Sequence, residues 1–526
     1  MTKTLLKLQL TLWGRTIKGN KAAIVMMSLL SFYALMGLFG FGIFLALGLG
    51  QDHMGILAGV VSVGMVAYCI AAFMWPSGEG QLDPTAFSTM PLSAKQLLPG
   101  FAISTLLQSR GIIAVICTVA TSIIAAVFLP VGSWPMIVFM MAVSLVTTLL
   151  LGELLGALTS GSSSRVSNDR RTVLTSVVFM VFVVGYNMLI GADGMSRIDA
   201  IGAYTKWTPF GAGAGAIEAF AVGLWGEAGL LTLLAFVYVA AGFWLWSQLI
   251  NRALTAPLDQ GGQGQSAKDS AGEGKKVLFL PGIPWSVGGA IFSRSLRYMF
   301  RDSRLLGSMI VFPLLGVLFI FQSFTVEFFM IYVGLIMMAV FAGSVATNGF
   351  GYDGPSLWLN IVAGVKARTL LMPRHWASML PGSVSIVVFM IITIVLAENK
   401  TTAVLICFIG LGIFISSAAV ALLVTTFNPY PTSKPGTSPW GDRSGYSGAA
   451  FVGAFAALLL GWIRMIPTIA LGIFGLVTDQ MCMIILAEVL AIILPVAVYI
   501  GVAKVCIRKV EKDLPEIFDK VKTHVK

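Results

Sequence analysis

Apolar residues recur along the whole chain in long, nearly unbroken runs separated by short polar segments. The runs are Ala22–Leu49, Gly55–Trp75, Gly111–Leu129, Trp134–Leu158, Thr172–Ile190, Ala228–Ile250, Leu306–Ser323, Phe328–Thr347, Leu380–Leu396, Ala403–Phe427, Gly448–Ile463 and Met481–Val505. A helix needs about 20 apolar residues to cross the hydrocarbon core of a bilayer with its backbone hydrogen bonds closed internally. Strands of an outer-membrane barrel would alternate over segments of about ten residues. The pattern therefore predicts an all-α polytopic membrane protein of about twelve transmembrane helices. The first run exceeds the roughly 7–15 residues of a signal-peptide core, so it is read as a retained span.

The longest polar stretch, Arg252–Arg304, centres on DQGGQGQSAKDSAGEGKK (Asp259–Lys276). Gly, Ser and Gln in that proportion cannot bury enough apolar surface to fold, so the segment predicts a flexible linker. It divides the chain into a first six-span bundle over 1–251, a linker over 252–284 and a second bundle over 285–526. The halves echo one another, which points to an internal duplication of two pseudo-repeated six-helix bundles. Each opens on an amphipathic segment. In the first, Leu6, Leu10, Trp13 and Ile17 share a face. In the second, Arg294, Arg297, Arg301 and Arg304 form a cationic face, with Phe292, Leu296 and Met299 roughly opposite. Such helices lie in the interface plane with basic heads toward anionic lipid; a cytosolic extension of the next span is the alternative.

Two loops carry the same order of features. Asp83-Pro84, then Lys95, Leu97-Leu98 and Pro99 stand in the loop 76–110; Asp353-Gly354-Pro355, then Lys366, Leu370-Leu371 and Pro373 stand in the loop 348–379. The prolines predict short, bounded helices there. Between the fifth and sixth spans of each half lies an apolar segment too short to cross, Thr205–Glu227 and Arg464–Asp479. These read as re-entrant or interfacial helices, or as parts of a broken span.

Only 11% of residues are charged, against about 25% in soluble proteins. A net charge of +11 suggests nucleic acid until topology is considered. With an even number of spans and both termini inside, 30 of the 34 Lys and Arg residues fall on the cytoplasmic side, leaving Arg197, Lys206, Lys400 and Arg464 outside. That asymmetry is the expected signature of a plasma-membrane protein, and no nucleic-acid partner is needed to explain it. The five cysteines lie in or at the ends of apolar spans and read as small buried hydrophobes.

The chemistry is sparse. No GxxxxGK[ST] loop is present, so ATP hydrolysis is not expected of this chain alone. None of His53, His375 or His524 has metal-ligand spacing to another ligand type. No catalytic constellation is visible, and no cofactor is expected. Glu153 and Glu488 lie within apolar runs, where a charge is costly and a functional suspect. Glu153 would reach water or Arg165, and Glu488 would reach Arg464; a structural ion pair and a transport role both remain open. The repeated inner loops and the lack of a motor on the chain point to an external driver, and a motor in the cytosol can move membrane helices only through such cytosolic surfaces. Phe87, Met90 and Leu92 with Asp83 and Lys95 would supply an apolar docking face and register charges in the first loop. Leu357, Trp358 and Ile361 with Asp353, Lys366 and Arg368 would do so in the second. Ordinary solvated loops are the alternative.

FSRSLRYMFRDSRLLGS (Phe292–Ser308), STMPLSAKQLLPGF (Ser88–Phe101), NGFGYDGPSLWLNIVAG (Asn348–Gly364) and TTFNPYPTSKPGTSPWG (Thr425–Gly441) resemble the permease subunits of type-2 ABC exporters, in the duplicated actinobacterial form. That resemblance implies the membrane path of an exporter in a bacterial plasma membrane. It implies a separate cytoplasmic ABC ATPase, two copies of which bind ATP and Mg, contacting the loop between the second and third spans of each bundle. It also implies re-entrant helices between the fifth and sixth spans. The exported substrate is not implied. An ion-coupled secondary transporter using Glu488 or Glu153, and a non-transport membrane scaffold, are the rival readings.

Overall fold

The computed structural model describes residues 2–19, 21–51, 53, 55–74, 87–88, 90, 92–160, 174, 177–187, 194–255, 279–435 and 447–525. Among them the regular structure is helical. In order the helices are α1 (Thr2–Gly19), α2 (Lys21–Gly50), α3 (Ile56–Met74), α4 (Ala94–Leu106), α5 (Ser109–Phe128), α6 (Trp134–Ser160), α7 (Val177–Asn187), α8 (Gly194–Thr205), α9 (Ala212–Ala221) and α10 (Trp225–Thr255). Then follow α11 (Val287–Arg301), α12 (Ser303–Thr325), α13 (Met330–Ser344), α14 (Gly349–Asp353), a 3-10 turn (Gly354–Leu357), α15 (Trp358–Val362), α16 (Ala367–Leu396), α17 (Lys400–Phe427), α18 (Gly448–Ile463), α19 (Ile466–Val477) and α20 (Met481–Val521).

Eight stretches among the described residues are long and apolar enough to cross a membrane: those of α3, α5, α6, α10, α16 and α17, the stretch Gly448–Val477, and α20. A ninth results if α13 and the segment Gly349–Val362, bent by 52° from it, are one broken span. The shorter apolar stretches Leu35–Gly50, Val177–Asn187 and Met309–Thr325 fall where the hydropathy pattern places three more spans. The chain is thus a polytopic helical membrane protein.

By its contacts the chain forms two compact units, one of Met1–Ser163 with Val181–Gly262 and the other of Ser164–Met180 with Gln263–Lys526. The expected linker centre, Asp259–Lys276, lies outside the described residues. In the first unit α3 packs on α8 at glycines. A Cβ on Gly59 would stand 2.2 Å from the Ile198 carbonyl oxygen, and one on Gly202 would stand 1.8 Å from that of Gly55. Only hydrogen at these positions lets the backbones meet. In the second unit α17 is the central helix. Gly343 of α13 and Gly461 of α18 both close onto its Ser417, and a Cβ on Gly412 would stand 2.2 Å from the Ala491 carbonyl oxygen of α20. Small residues let helices approach closely where lipid provides no hydrophobic drive for packing.

Several expectations need correction. Pro99 and Pro373 do not bound short helices; they lie inside α4 and α16, and α16 runs from Ala367 through the membrane stretch. Pro467 does not set α19 apart as a re-entrant piece. It occupies the first turn of α19, where no amide donor is required, and α18 and α19 form one apolar stretch, Gly448–Val477. The segment after α8 does contain a separate short helix, the ten-residue α9. On α1 the buried pair is Leu5 and Gln9, not Leu6 and Leu10; Leu10 is exposed. Gly100 of α4 admits Leu5, which fixes that face. The Trp13 side chain lies outside the described residues. Cys69, Cys407 and Cys506 are buried, Cys117 is half-buried and Cys482 is exposed.

Candidate functional site

The richest polar constellation among the described residues lies in the second unit, around α11, α12, α14 and α16. Its geometry begins with two helix caps. The Ser286 hydroxyl accepts the Gly289 amide to start α11, and the Asp302 carboxylate accepts the Arg304 amide to start α12. Asp302 therefore breaks the expected cationic face in two. Arg294, Arg297 and Arg301 belong to α11, whereas Arg304 opens the next helix. Arg294 and Arg304 turn into the protein rather than toward lipid headgroups. Arg297 donates to the Phe279 carbonyl at 3.3 Å.

Asp353, at the end of α14, is the hub. One carboxylate oxygen accepts from Arg294 at 2.9 Å and also from Arg374 of α16. The side chains of Asp353 and Arg374 are each 4% exposed and that of Arg294 is 30% exposed. Arg374 further donates to the Gly349 carbonyl and lies over the Phe350 ring, its guanidinium carbon 4.8 Å from the centroid. A buried carboxylate between two guanidiniums is held in place, because losing either partner leaves an uncompensated charge. Asp353 thus cannot serve as the exposed register charge expected of it.

A second anchor is Arg304, also buried. It pairs with Asp302, donates to Thr432 Oγ1 at 3.0 Å and to the Ser433 carbonyl, and covers the Tyr352 ring. Thr432 passes the restraint on. Its hydroxyl donates to the Gly351 carbonyl at 2.9 Å, and its own carbonyl accepts the Val525 amide at 3.1 Å. Asn348 exchanges hydrogen bonds with the Tyr430 backbone in both directions. The segment after α17, the end of α20 and the α13–α14 junction are thereby tied together. Beneath them Ile291, Phe350, Leu357, Leu371, Leu422, Cys506 and Val521 form one apolar cluster.

These ties hold the short α14–α15 segment. Gly354 reverses the chain at φ +50° directly under His524. α15 ends in a left-handed glycine, Gly364 (φ +62°). Its amide bonds to Ile361 while that of Val365 bonds to Asn360, which closes the last turn. Leu357 points into the core and Ile361 is half-buried. Trp358, Leu359 and Val362 point out, at 48%, 53% and 75% exposure, beside the exposed Lys366 and Arg368. The result is an apolar ridge rimmed with positive charge on a rigid mount.

The first unit differs. Asp83 lies outside the described residues. Phe87 is buried against Phe101, ring centroids 6.0 Å apart, and Leu92 packs in the same cluster as Leu97, Trp246 and Ile250. Of the expected docking residues there, Met90 and Lys95 are exposed. The Gln96 side chain accepts the Ser93 amide, which starts α4.

Glu153 does not need Arg165, which lies outside the described residues; it faces Arg110 of α5 at 4.0 Å. Glu488 does not meet Arg464, and it makes no ion pair among the described residues. One carboxylate escaped the sequence reading. Glu218, buried in α9, accepts the Leu57 and Ala58 amides at 2.8 and 3.2 Å and so caps α3 from another helix. Asp199 of α8 accepts the Gly55 amide at 2.6 Å just before it. Burial pushes the Glu218 carboxyl up, to about 8, against the pull of those two amides. Its signal in the sequence is a lone acid in the small-residue run GAGAGAIEAFA.

Neither a protein-family model, nor a curated protein, nor a solved structure matches the chain. The class defined by the fold is a multi-pass helical membrane protein.

Proposed function

We propose that this chain is the transmembrane subunit of an ATP-driven exporter of the type-2 ABC class, worked from the cytosol by a separate ATPase. The observation that carries the reading is the α14–α15 ridge. Mechanical coupling to a cytosolic motor requires a rigid, outward-facing apolar element tied to several membrane helices. Trp358, Leu359 and Val362 supply the face. The Arg294–Asp353–Arg374 and Arg304–Thr432 ties join it to α11, α12, α16, α17 and α20. Force on the ridge would reach those helices without being lost in a loose loop.

In this account twelve spans form two pseudo-repeated bundles, both termini face the cytoplasm of a bacterial plasma membrane, and ATP and Mg bind only to the partner. Two ATPase copies would dock, one on α14–α15 and one at the loop around Met90 and Lys95. Nucleotide binding would draw the ATPases together and move the bundles. Glu488 in α20, which makes no ion pair among the described residues, favours one alternative, an ion-coupled transporter. In that case Glu488→Gln abolishes transport, and collapse of the proton gradient stops it while ATP persists.

The test is co-purification from the native membrane. The wild-type chain should retain a cytosolic protein bearing a GxxxxGK[ST] loop. Trp358→Glu with Val362→Glu should retain at most the copy held at the other loop while the chain still inserts. Retention of that partner at the wild-type amount by the double variant would refute the role of the ridge.

A further inference from the structure

The long helix α20 carries a feature that the coupling reading does not use. From Met481 to Lys504 it rises about 35 Å, close to the roughly 30 Å hydrocarbon core plus a small tilt. Over that length Ile493, Ala497 and Ile500 form an exposed stripe. The same stripe continues into Lys504, then Arg508, one turn or about 6 Å further, with Lys512 a turn beyond and rotated to its flank. All three cations are exposed, and none makes an ion pair among the described residues.

Neighbouring charges do not quench this ladder. Asp513 is taken by Lys509 at 2.8 Å, and Lys509 itself lies against the Phe427 ring. Glu516 pairs with Lys520, and Asp519 pairs with Lys522. The remaining carboxylate, Glu511, shares the stripe on the side away from the membrane stretch. It would repel an anion there and so confine one to the level of Lys504 and Arg508. A separate feature marks that level. Trp376 of α16 is half-exposed and donates its indole N–H to the Tyr499 hydroxyl at 3.2 Å, about one and a half turns above Lys504. Trp and Tyr gather at the headgroup region of a bilayer.

We propose that Lys504 and Arg508, flanked by Lys512, bind the phosphate of an anionic phospholipid whose acyl chains lie along the Ile493–Ile500 stripe. An apolar stripe running straight into unpaired cations, with a Trp–Tyr pair at the junction, matches the two halves of such a lipid. A cytosolic protein would match only the cations. Each cation near an anionic surface strengthens binding about fivefold.

The test is native mass spectrometry of the full chain in nonionic detergent, titrated with phosphatidylglycerol and with phosphatidylcholine of the same acyl chains. Phosphatidylglycerol should bind more tightly. Lys504→Gln with Arg508→Gln should weaken it about 25-fold and bring it near phosphatidylcholine. Lys504→Arg with Arg508→Lys should retain binding, and Lys520→Gln with Lys522→Gln should leave it unchanged. Equal binding of the two lipids by the wild type would overturn the proposal. So would wild-type phosphatidylglycerol affinity in the Lys504/Arg508 glutamine variant, or blockade of the site by a bound cytosolic partner.

Discussion

Replacing Asp353 with Asn tests the platform most sharply. The amide keeps the shape but removes the charge, leaving Arg374 buried without its counter-ion. Breaking a buried pair from one side costs about 3–5 kcal/mol. The amide oxygen still accepts one hydrogen bond, so about 3 kcal/mol is expected, equivalent to about a hundredfold more opening. Hydrogen exchange of the amides in 349–362 reads that opening directly, with the membrane stretches of α17 as an internal reference. Arg374→Gln should have a similar effect. Arg294→Gln should have a smaller one, because the Arg294 side chain is 30% exposed and its charge is partly solvated. Exchange in Asp353→Asn within fivefold of wild type would mean the pair behaves like a surface ion pair, worth under about 1 kcal/mol, and would refute the argument. An Arg294 effect larger than that of Arg374 would refute it equally.

Thr432→Val removes the acceptor of Arg304 and the donor to Gly351; it should destabilise the 428–435 segment by about 1–3 kcal/mol, seen as faster proteolysis or exchange there. Glu218 holds its proton to about pH 8, whereas an ordinary carboxyl releases it near 4.5. Protonation therefore favours the folded state, and thermal stability should fall as pH rises from about 5 to about 8. Glu218→Gln should flatten that profile. Gly202→Leu forces α3 and α8 apart and should lower the melting temperature of the first unit; an unchanged melting curve would contradict the close packing.

The membrane class and most spans were legible because apolar runs must become helices in lipid. The platform was legible in part. Asp353, Trp358 and the loop prolines interrupt the apolar pattern, but sequence spacing alone has Asp353 and Arg304 facing outward. Their inward turn depends on Thr432, Arg374 and Val525, contacts far away along the chain that no local pattern encodes. The same holds for Phe87 and Leu92, apolar residues that looked like a docking face and were recruited into the core beside Trp246. Glu218 shows the converse. It acts on α3 across 161 residues of sequence, as a cap that helix α3 does not supply itself.

In the proposed function the chain is a passive gate, driven by a partner's nucleotide hydrolysis through the α14–α15 ridge. The most direct measurement is ATP hydrolysis by the purified chain alone, by its complex from native membranes, and by the Trp358→Glu, Val362→Glu preparation. The expected result is no hydrolysis by the lone chain, clear activity in the complex and a marked loss with the double variant. ATP hydrolysis or uphill transport by the lone chain, or full activity co-purifying with the double variant, would contradict it.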